Sequence, residues 1–324
     1  FNPLSFAMSK GDARYSFIVE WYDTAASLTR QYQLIFYTSD GTLEMYDLKN
    51  RRSFLKRCDY PGVREADLFK GSIITVYSRQ LTVKDYADAF TASAFESSSK
   101  ITYAVIKSEA VSSMGRIIDA INGAGFTLSD LALLSGELAL AVTGGEGFEA
   151  LVGQINGSLG LDAVALADAS VFGGAKPSIP QIENSSLMLV RPHAVKSGAL
   201  GRILDQTVGS GFLVMNAKMV HVTRPNAQEF LEVYKGVVPE YVDWVEELCS
   251  GKLVALQLVL ASKPDASVLA VRELCGAHDP EIAQHLHPHS LRAQYGESKV
   301  KNATHCTDLP EDGALEVDYF FQLL

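Results

Sequence analysis

The sequence predicts a multidomain α+β/α/β chain: an all-β unit first, then two copies of one α/β unit, the first copy reduced. Three observations carry this. The first ~95 residues are dense in β-branched and aromatic residues. Two later stretches match each other over more than twenty positions. A Gly/Pro/Ser-rich stretch, GGAKPSIPQIENSS (173–186), separates the copies.

In the N-terminal unit, residues 1–95, the runs YSFIVEWY, YQLIFYTSDGTLEMYDL and SIITVYSRQLTV read as strands. Asp40-Gly41 lies between two of them, where a tight hairpin needs positive φ. TASAFESSSK (91–100) is Ser-rich and reads as a linker. The next unit, residues 100–175, holds AVIKSEAVSSMGRIIDAINGAGF (104–126), and the last, 187–324, holds LVRPHAVKSGALGRILDQTVGSGF (189–212). Each stretch predicts a short apolar strand, a turn, and an amphipathic helix closed by glycines. Gly115, Arg116, Ile117, Asp119, Gly123, Gly125 and Phe126 recur identically in the second copy. The match fades after Gly157, aligned with Gly251, so everything from Val268 onward is expected to lack a counterpart in the first copy.

Composition narrows the function classes. Net charge is −10, with 12 Lys/Arg against 12 Asp/Glu in residues 1–99, 4 against 9 in 100–186, and 12 against 17 in 187–324. Such a balance argues against general nucleic-acid binding. The basic stretch KNRRSFLKR, with Lys49, Arg51, Arg52, Lys56 and Arg57, reads either as a solvated strand edge or turn, or as a docking surface for an acidic partner. The longest nearly unbroken apolar run, LVALQLVLA (253–261), is about half a bilayer span, and no membrane association is expected. No charged-then-apolar leader is read at the start, and four cysteines without CxxC spacing fit reduced thiols in the cytosol.

Motifs exclude several chemistries: there is no GxxxxGK[ST], GxSxG or HExxH, and GAGF and GSGF follow helices, as terminators do. The second copy concentrates Arg272, Arg292, Asn302 and His305, with Glu316 eleven residues beyond the histidine. Histidine phosphoryl transfer needs an imidazole nitrogen in line with the terminal phosphate and arginines on the phosphate oxygens. It also needs a carboxylate on the other ring nitrogen to fix the tautomer. Surface salt bridges around a satisfied histidine remain the competing reading of the same residues. His278, His285, His287 and His289 lack the cysteine or repeating acid that would complete a metal shell, and a solvated loop is expected there.

LMLVRPHAVKSGALGRI, CSGKLVALQLV, VRELCG, SLRAQYG and NATHCTD together resemble the nucleoside diphosphate kinase family across the second copy. The first copy resembles a degenerate domain of the same kind. FIVEWYD, GTLEMYDLKNRRSFLKR and DLFKGSIITVYSRQL resemble a DM10 domain. That order is the layout of the nucleoside diphosphate kinase 7 family. The resemblance implies a pleckstrin-like all-β domain followed by two ferredoxin-like βαββαβ domains. It further implies His305 as phospho-acceptor, Glu316 steadying it, Asn302 on the nucleotide sugar, Arg272 and Arg292 on phosphates, Thr307 at the usual loop serine, and Tyr234 as an active-site tyrosine. If the site is catalytic, Mg2+ with ATP or GTP follows. Two departures stand out: Arg191 and His193 replace the lysine and acid of a K-P-D-G run, and Ala277 or His278 replaces a phosphate-bonding threonine. Lys107 survives in the first copy, where its role could only be nucleotide binding.

The family's association with cilia and flagella implies a structural component of axonemal doublet microtubules, a microtubule inner protein meeting tubulin and other doublet proteins. Kinase activity is then expected to be weak or absent. The alternative is an active nucleoside diphosphate kinase working through phospho-His305. Family kinases are usually hexamers, but fused copies could satisfy such an interface within one chain.

Overall fold

The computed structural model describes residues 14–23, 26–96, 101–173 and 183–324. They form two compact units, 1–99 and 100–324. In the first unit, β1 (Arg14–Asp23), β2 (Leu28–Tyr37), β3 (Thr42–Asp47), β4 (Arg52–Asp59), β5 (Ile73–Val76) and β6 (Arg79–Tyr86) make one sheet, ordered β4-β3-β2-β1-β6-β5. Alternation sends Phe17, Val19, Tyr32, Leu34, Phe36, Leu43 and Met45 into one core. Gly41 takes φ +69, and the Asp40 carboxylate accepts from the Thr42 amide, closing the β2–β3 hairpin. Asp47 does the same for β3–β4: its Oδ1 accepts from the Asn50 amide at 2.9 Å.

The Ser-rich stretch expected to be a linker is half helix. Here α1 (Ala89–Glu96) buries Thr91 and Phe95. Thr91 Oγ1 accepts from the Ser16 amide, and Phe95 meets Tyr15 and Phe17 edge-on. Burial of Thr91 and Phe95, one turn apart, outweighs the serines. Residues 97–100 lie outside the described residues, as do 174–182 of the second expected linker.

The second unit carries one eight-stranded antiparallel sheet. The first copy contributes β7 (Ile101–Ile106), α2 (Met114–Gly123), β8 (Thr127–Leu134), β9 (Glu137–Thr143), α3 (Phe148–Leu159) and β10 (Val164–Ala167). The second contributes β11 (Ser186–Val190), α4 (Pro192–Lys196), α5 (Leu200–Gly209), β12 (Phe212–Val220), α6 (Arg224–Phe230), α7 (Tyr241–Leu248), β13 (Leu253–Leu260), α8 (Ser267–Cys275), α9 (Pro280–Leu286), α10 (Leu291–Tyr295), β14 (Thr304–Cys306) and α11 (Gly313–Asp318). Strand order is β10-β7-β9-β8-β12-β13-β11-β14, two ferredoxin-like quartets joined edge to edge where Lys218 pairs Ala132. Both joining strands bulge at equivalent places, before Asp130 and before Asn216.

This topology corrects the expected extent of the repeat. The first copy is a complete βαββαβ unit, with α3 and β10 standing for α8 and β14. Gly157 lies inside α3, whereas Gly251 precedes β13, so their alignment was coincidental. The difference lies in insertions. Ser135 and Gly136, both at positive φ, join β8 to β9, while 221–252, with α6 and α7, join β12 to β13. Four residues, 160–163, join α3 to β10, while 276–303, with α9 and α10, join α8 to β14.

The inserted elements cover the second copy's sheet on its far side. Met188 and Val190 of β11 face the core shared with the first copy. Leu187 and Leu189 face a separate core with Trp244, Leu248 and Phe320. A strand buried on both faces reads as a continuous apolar run, as LMLV does. Gly125 and Gly211, at φ +87 and +88, end the paired helices as expected.

Candidate active site

A cleft of ≈ 670 Å³ opens in the second copy. Arg191, Tyr234, Trp244, Arg272, His278, Arg292 and His305 line it, with Glu273 and Asp308. The inserted segments build it: Tyr234 and Trp244 come from the β12–β13 connection, His278 and Arg292 from the α8–β14 connection.

His305 sits mid-way along β14, opposite Leu189 of β11. Just before it, Ala303 holds φ +68, a strained value for alanine. Two bonds hold it: its amide donates to His193 Nε2 at 3.1 Å, and its carbonyl accepts from the Arg191 amide at 2.9 Å. His305 Nε2 lies 3.8 Å from Glu316 Oε1, and Phe230 packs on the ring at 5.0 Å. Glu316 is itself held, since Thr307 Oγ1 donates to its Oε2 at 2.8 Å while accepting from the Leu187 amide. The carboxylate can therefore orient the imidazole and leave Nδ1 for a phosphate. Thr307 is fully buried and acts on Glu316.

The other expected ligands already have partners. Asn302 is fully buried, its amide nitrogen donating to His278 Nδ1 at 3.0 Å and to the His278 carbonyl at 3.1 Å. Both acceptors fix the amide's orientation, so Nδ1 carries a lone pair and the His278 proton sits on Nε2. Burial, with Arg292 and Arg191 nearby, pushes His278 down to about 4, so it is neutral at physiological pH. Its ring lies against Trp244 at 4.6 Å. Ala277 has no side-chain donor, so the hydroxyl of the expected threonine has no counterpart there.

Arg292 gives Nε and Nη2 to the Thr304 carbonyl and Nη1 to the Gly276 carbonyl at 2.8 Å. Arg272 is exposed and gives Nη1 to the Asp308 carbonyl at 2.9 Å. Tyr234 donates to Asp308 Oδ2 at 2.6 Å, and burial beside that carboxylate holds the phenol above its usual range. Arg191 is 2% exposed and donates to the Val300 carbonyl at 2.7 Å. Its Nη1 lies 3.8 Å from Glu247 Oε2. Glu247 also accepts from His193 Nδ1 at 2.8 Å. The sequence reading missed Glu247 and Trp244. Both face inward from α7, and the one available signal was their i,i+3 spacing in WVEEL.

Lys107 stands in the first copy where Arg191 stands in the second, directly after the opening strand. It pairs with Asp162. The short β8–β9 and α3–β10 connections supply no walls around it comparable to those of the second copy. Lys49 and Arg51 lie in the β3–β4 turn, and Arg52, Lys56 and Arg57 lie on β4, all exposed. Arg57 is engaged by Asp40 at 2.6 Å and by the Tyr37 ring. Among the described residues no three His, Cys, Asp or Glu side chains converge as a metal-ligand set, and no helix is long and apolar enough to cross a membrane.

A ferredoxin-like domain with inserted helices, a histidine on its edge strand and arginines around it defines a nucleoside diphosphate kinase-type domain. The Nucleoside diphosphate kinase family profile matches residues 184–323, and the Nucleoside diphosphate kinase 7 N-terminal PH domain profile matches 9–97. Nucleoside diphosphate kinase homolog 7 of Mus musculus is 40% identical, covering 96% of this chain and 93% of its own length, and that of Rattus norvegicus is 39% identical over the same shares. The solved nucleoside diphosphate kinase of Aquifex aeolicus is 37% identical over 43% of this chain and 94% of its own, with a TM-score of 0.40. The chain belongs to the nucleoside diphosphate kinase homolog 7 family.

Proposed function

We propose that this chain is an assembly protein of the ciliary or flagellar axoneme, docking on doublet microtubules, whose C-terminal copy binds nucleoside di- and triphosphates and transfers phosphate slowly. One observation carries the catalytic half. The histidine and its carboxylate are both in place, His305 Nε2 3.8 Å from Glu316 Oε1, but Arg191, Arg292 and Asn302 already bond to protein groups. In the transfer, His305 Nδ1 attacks the terminal phosphorus in line, the bond to the nucleoside diphosphate breaks, and a second diphosphate takes the phosphate back. Magnesium enters with the nucleotide, on its phosphates. Losing one transition-state donor costs roughly 10²–10³ in turnover, and here the threonine donor is absent and Arg191 Nη1 is held by the Val300 carbonyl with Glu247 3.8 Å away.

The architectural half rests on family membership and on the basic edge of the N-terminal unit. β4 is an edge strand, exposed along most of its length and carrying cations, a surface that suits a strongly acidic partner such as tubulin. Changing Lys49, Arg51, Arg52 and Lys56 to glutamate is expected to abolish co-sedimentation with doublet microtubules. Arg57 is kept, because it braces the β2–β3 hairpin through Asp40. Undiminished co-sedimentation contradicts docking through this edge.

A second reading, an efficient nucleoside diphosphate kinase, has one observation in its favour: Thr307 fixes Glu316 by a 2.8 Å bond, with His305 Nε2 3.8 Å from the carboxylate.

A further inference from the structure

The cleft holds three arginines, Arg191, Arg272 and Arg292, yet four carboxylates stand among or directly behind them: Glu273, Asp308, Glu247 and Glu316. Glu247 differs from the rest. It is 5% exposed and reaches from α7 to two residues at the start of the copy. Its Oε1 takes His193 Nδ1 and the His193 amide, and its Oε2 lies 3.8 Å from Arg191 Nη1. His193 Nε2 accepts from the Ala303 amide, so the imidazole is neutral with its proton toward Glu247. The pair's formal charge is thus Arg191 against Glu247 alone, both enclosed where solvent screens little. The first copy repeats the arrangement by another route: Lys107, at the matching position, is met by Asp162 from the segment before β10.

We infer that Glu247 is a positioning residue that cancels the charge of Arg191 and so sets the cleft's affinity for nucleotide phosphates. This rests on the nucleotide reading of the cleft. A phosphate approaching Arg191 meets a cation whose field is closed by a carboxylate behind it, and whose Nη1 is held by the Val300 carbonyl. The attraction left for the ligand comes from Arg272 and Arg292, each bonded to carbonyls that carry no net charge.

The test is calorimetric titration of the full chain with ADP, in three forms. Glu247→Gln keeps an oxygen for His193 and replaces the charged oxygen 3.8 Å from Arg191 by an uncharged amide nitrogen. It is expected to bind ADP about tenfold more tightly than the unaltered chain, the size of effect one partly screened charge exerts several ångströms away. The double variant Arg191→Met/Glu247→Gln buries no unpaired charge and is expected to bind within about threefold of the unaltered chain. Equal or weaker binding by folded Glu247→Gln overturns the inference. So does a loss of about tenfold or more in the double variant, because Arg191 would then have been available to the ligand. The double variant decides the matter if Glu247→Gln alone does not fold. Absence of binding by every form, the unaltered chain included, overturns the nucleotide reading and this inference with it.

Discussion

Replacing His305 by alanine is expected to remove all acid-labile label that the chain takes from γ-labelled ATP, while Glu316→Gln reduces the rate of labelling. A phosphoramidate on histidine is acid-labile, so acid treatment separates it from serine, threonine or tyrosine esters. The effect is total because no other side chain can substitute. His193 is buried between Glu247 and the Ala303 amide, with no nitrogen to spare. His278 has Nδ1 held by Asn302 and its proton on Nε2. Among the described histidines of the cleft wall, His278, His287 and His305, His305 alone has a carboxylate within ion-pair distance of a ring nitrogen. That carboxylate must be kept in place, which is why Thr307 is buried behind it. Equal labelling of His305→Ala, measured by acid-sensitive release, contradicts this assignment.

Adding a single methyl group at Gly201 or Gly115 is expected to destabilise the second unit severely. These glycines mark the crossing of α5 and α2, where the two copies meet. A Cβ on Gly201 would lie 2.5 Å from the Asp119 amide nitrogen and 2.7 Å from the Gly115 carbonyl oxygen. A Cβ on Gly115 would lie 2.3 Å from the Asp205 amide nitrogen. All of these are backbone atoms, so no side-chain rotation relieves the clash. The helices must separate, and the core beneath them, Ile117, Ile118, Ile203 and Leu204, opens with them. Overpacking of this kind costs about 3 kcal/mol or more. For a unit of this size that lowers the thermal midpoint by roughly 6–12 °C. Calorimetric scans of Gly201→Ala and Gly115→Ala check it. The joint is reciprocal, so the double variant should lose less than the sum of the two, the second methyl entering a gap the first has opened. Midpoints unchanged within a degree or two would mean the copies do not meet through this crossing.

Much of this was legible because it depended on local pattern. The β-rich runs of the first unit became strands, and their alternation placed Phe17, Val19 and Leu34 inward. The matching GRI…GxGF stretches became paired helices, because amphipathic spacing and terminal glycines are local properties. The position of His305 beside Glu316 followed from a motif whose parts lie eleven residues apart. What escaped was determined by distant parts of the chain. Glu247 is 56 positions from Arg191, and its i,i+3 spacing from Trp244 in WVEEL marks an inward face without telling which residues it meets there. Asn302 was expected on the nucleotide sugar, but the histidine 24 residues earlier takes both its amide hydrogens. The extent of the first copy was misjudged because insertions shift the spacing of a repeat without altering its fold. Residues 91–96 escape because serine content hides the helical spacing of Thr91 and Phe95, the two side chains that α1 buries.

These misses share a direction. The residues that sequence alone assigns to a ligand are, in the structure, bonded to protein groups, among them the Val300 and Gly276 carbonyls and His278 from the inserted segments and Thr304 and Asp308 from β14 and the loop after it. On the proposed reading, a site of this kind keeps its nucleophile while offering less to the transition state.

The most direct test is steady-state exchange of phosphate between ATP and a second nucleoside diphosphate, run beside the Aquifex aeolicus nucleoside diphosphate kinase under identical conditions. A turnover lower by about two orders of magnitude or more, with His305 still labelled, is the predicted result. Turnover equal to that of the Aquifex aeolicus enzyme contradicts the account, because a cleft whose phosphate-binding groups are already engaged could not sustain it.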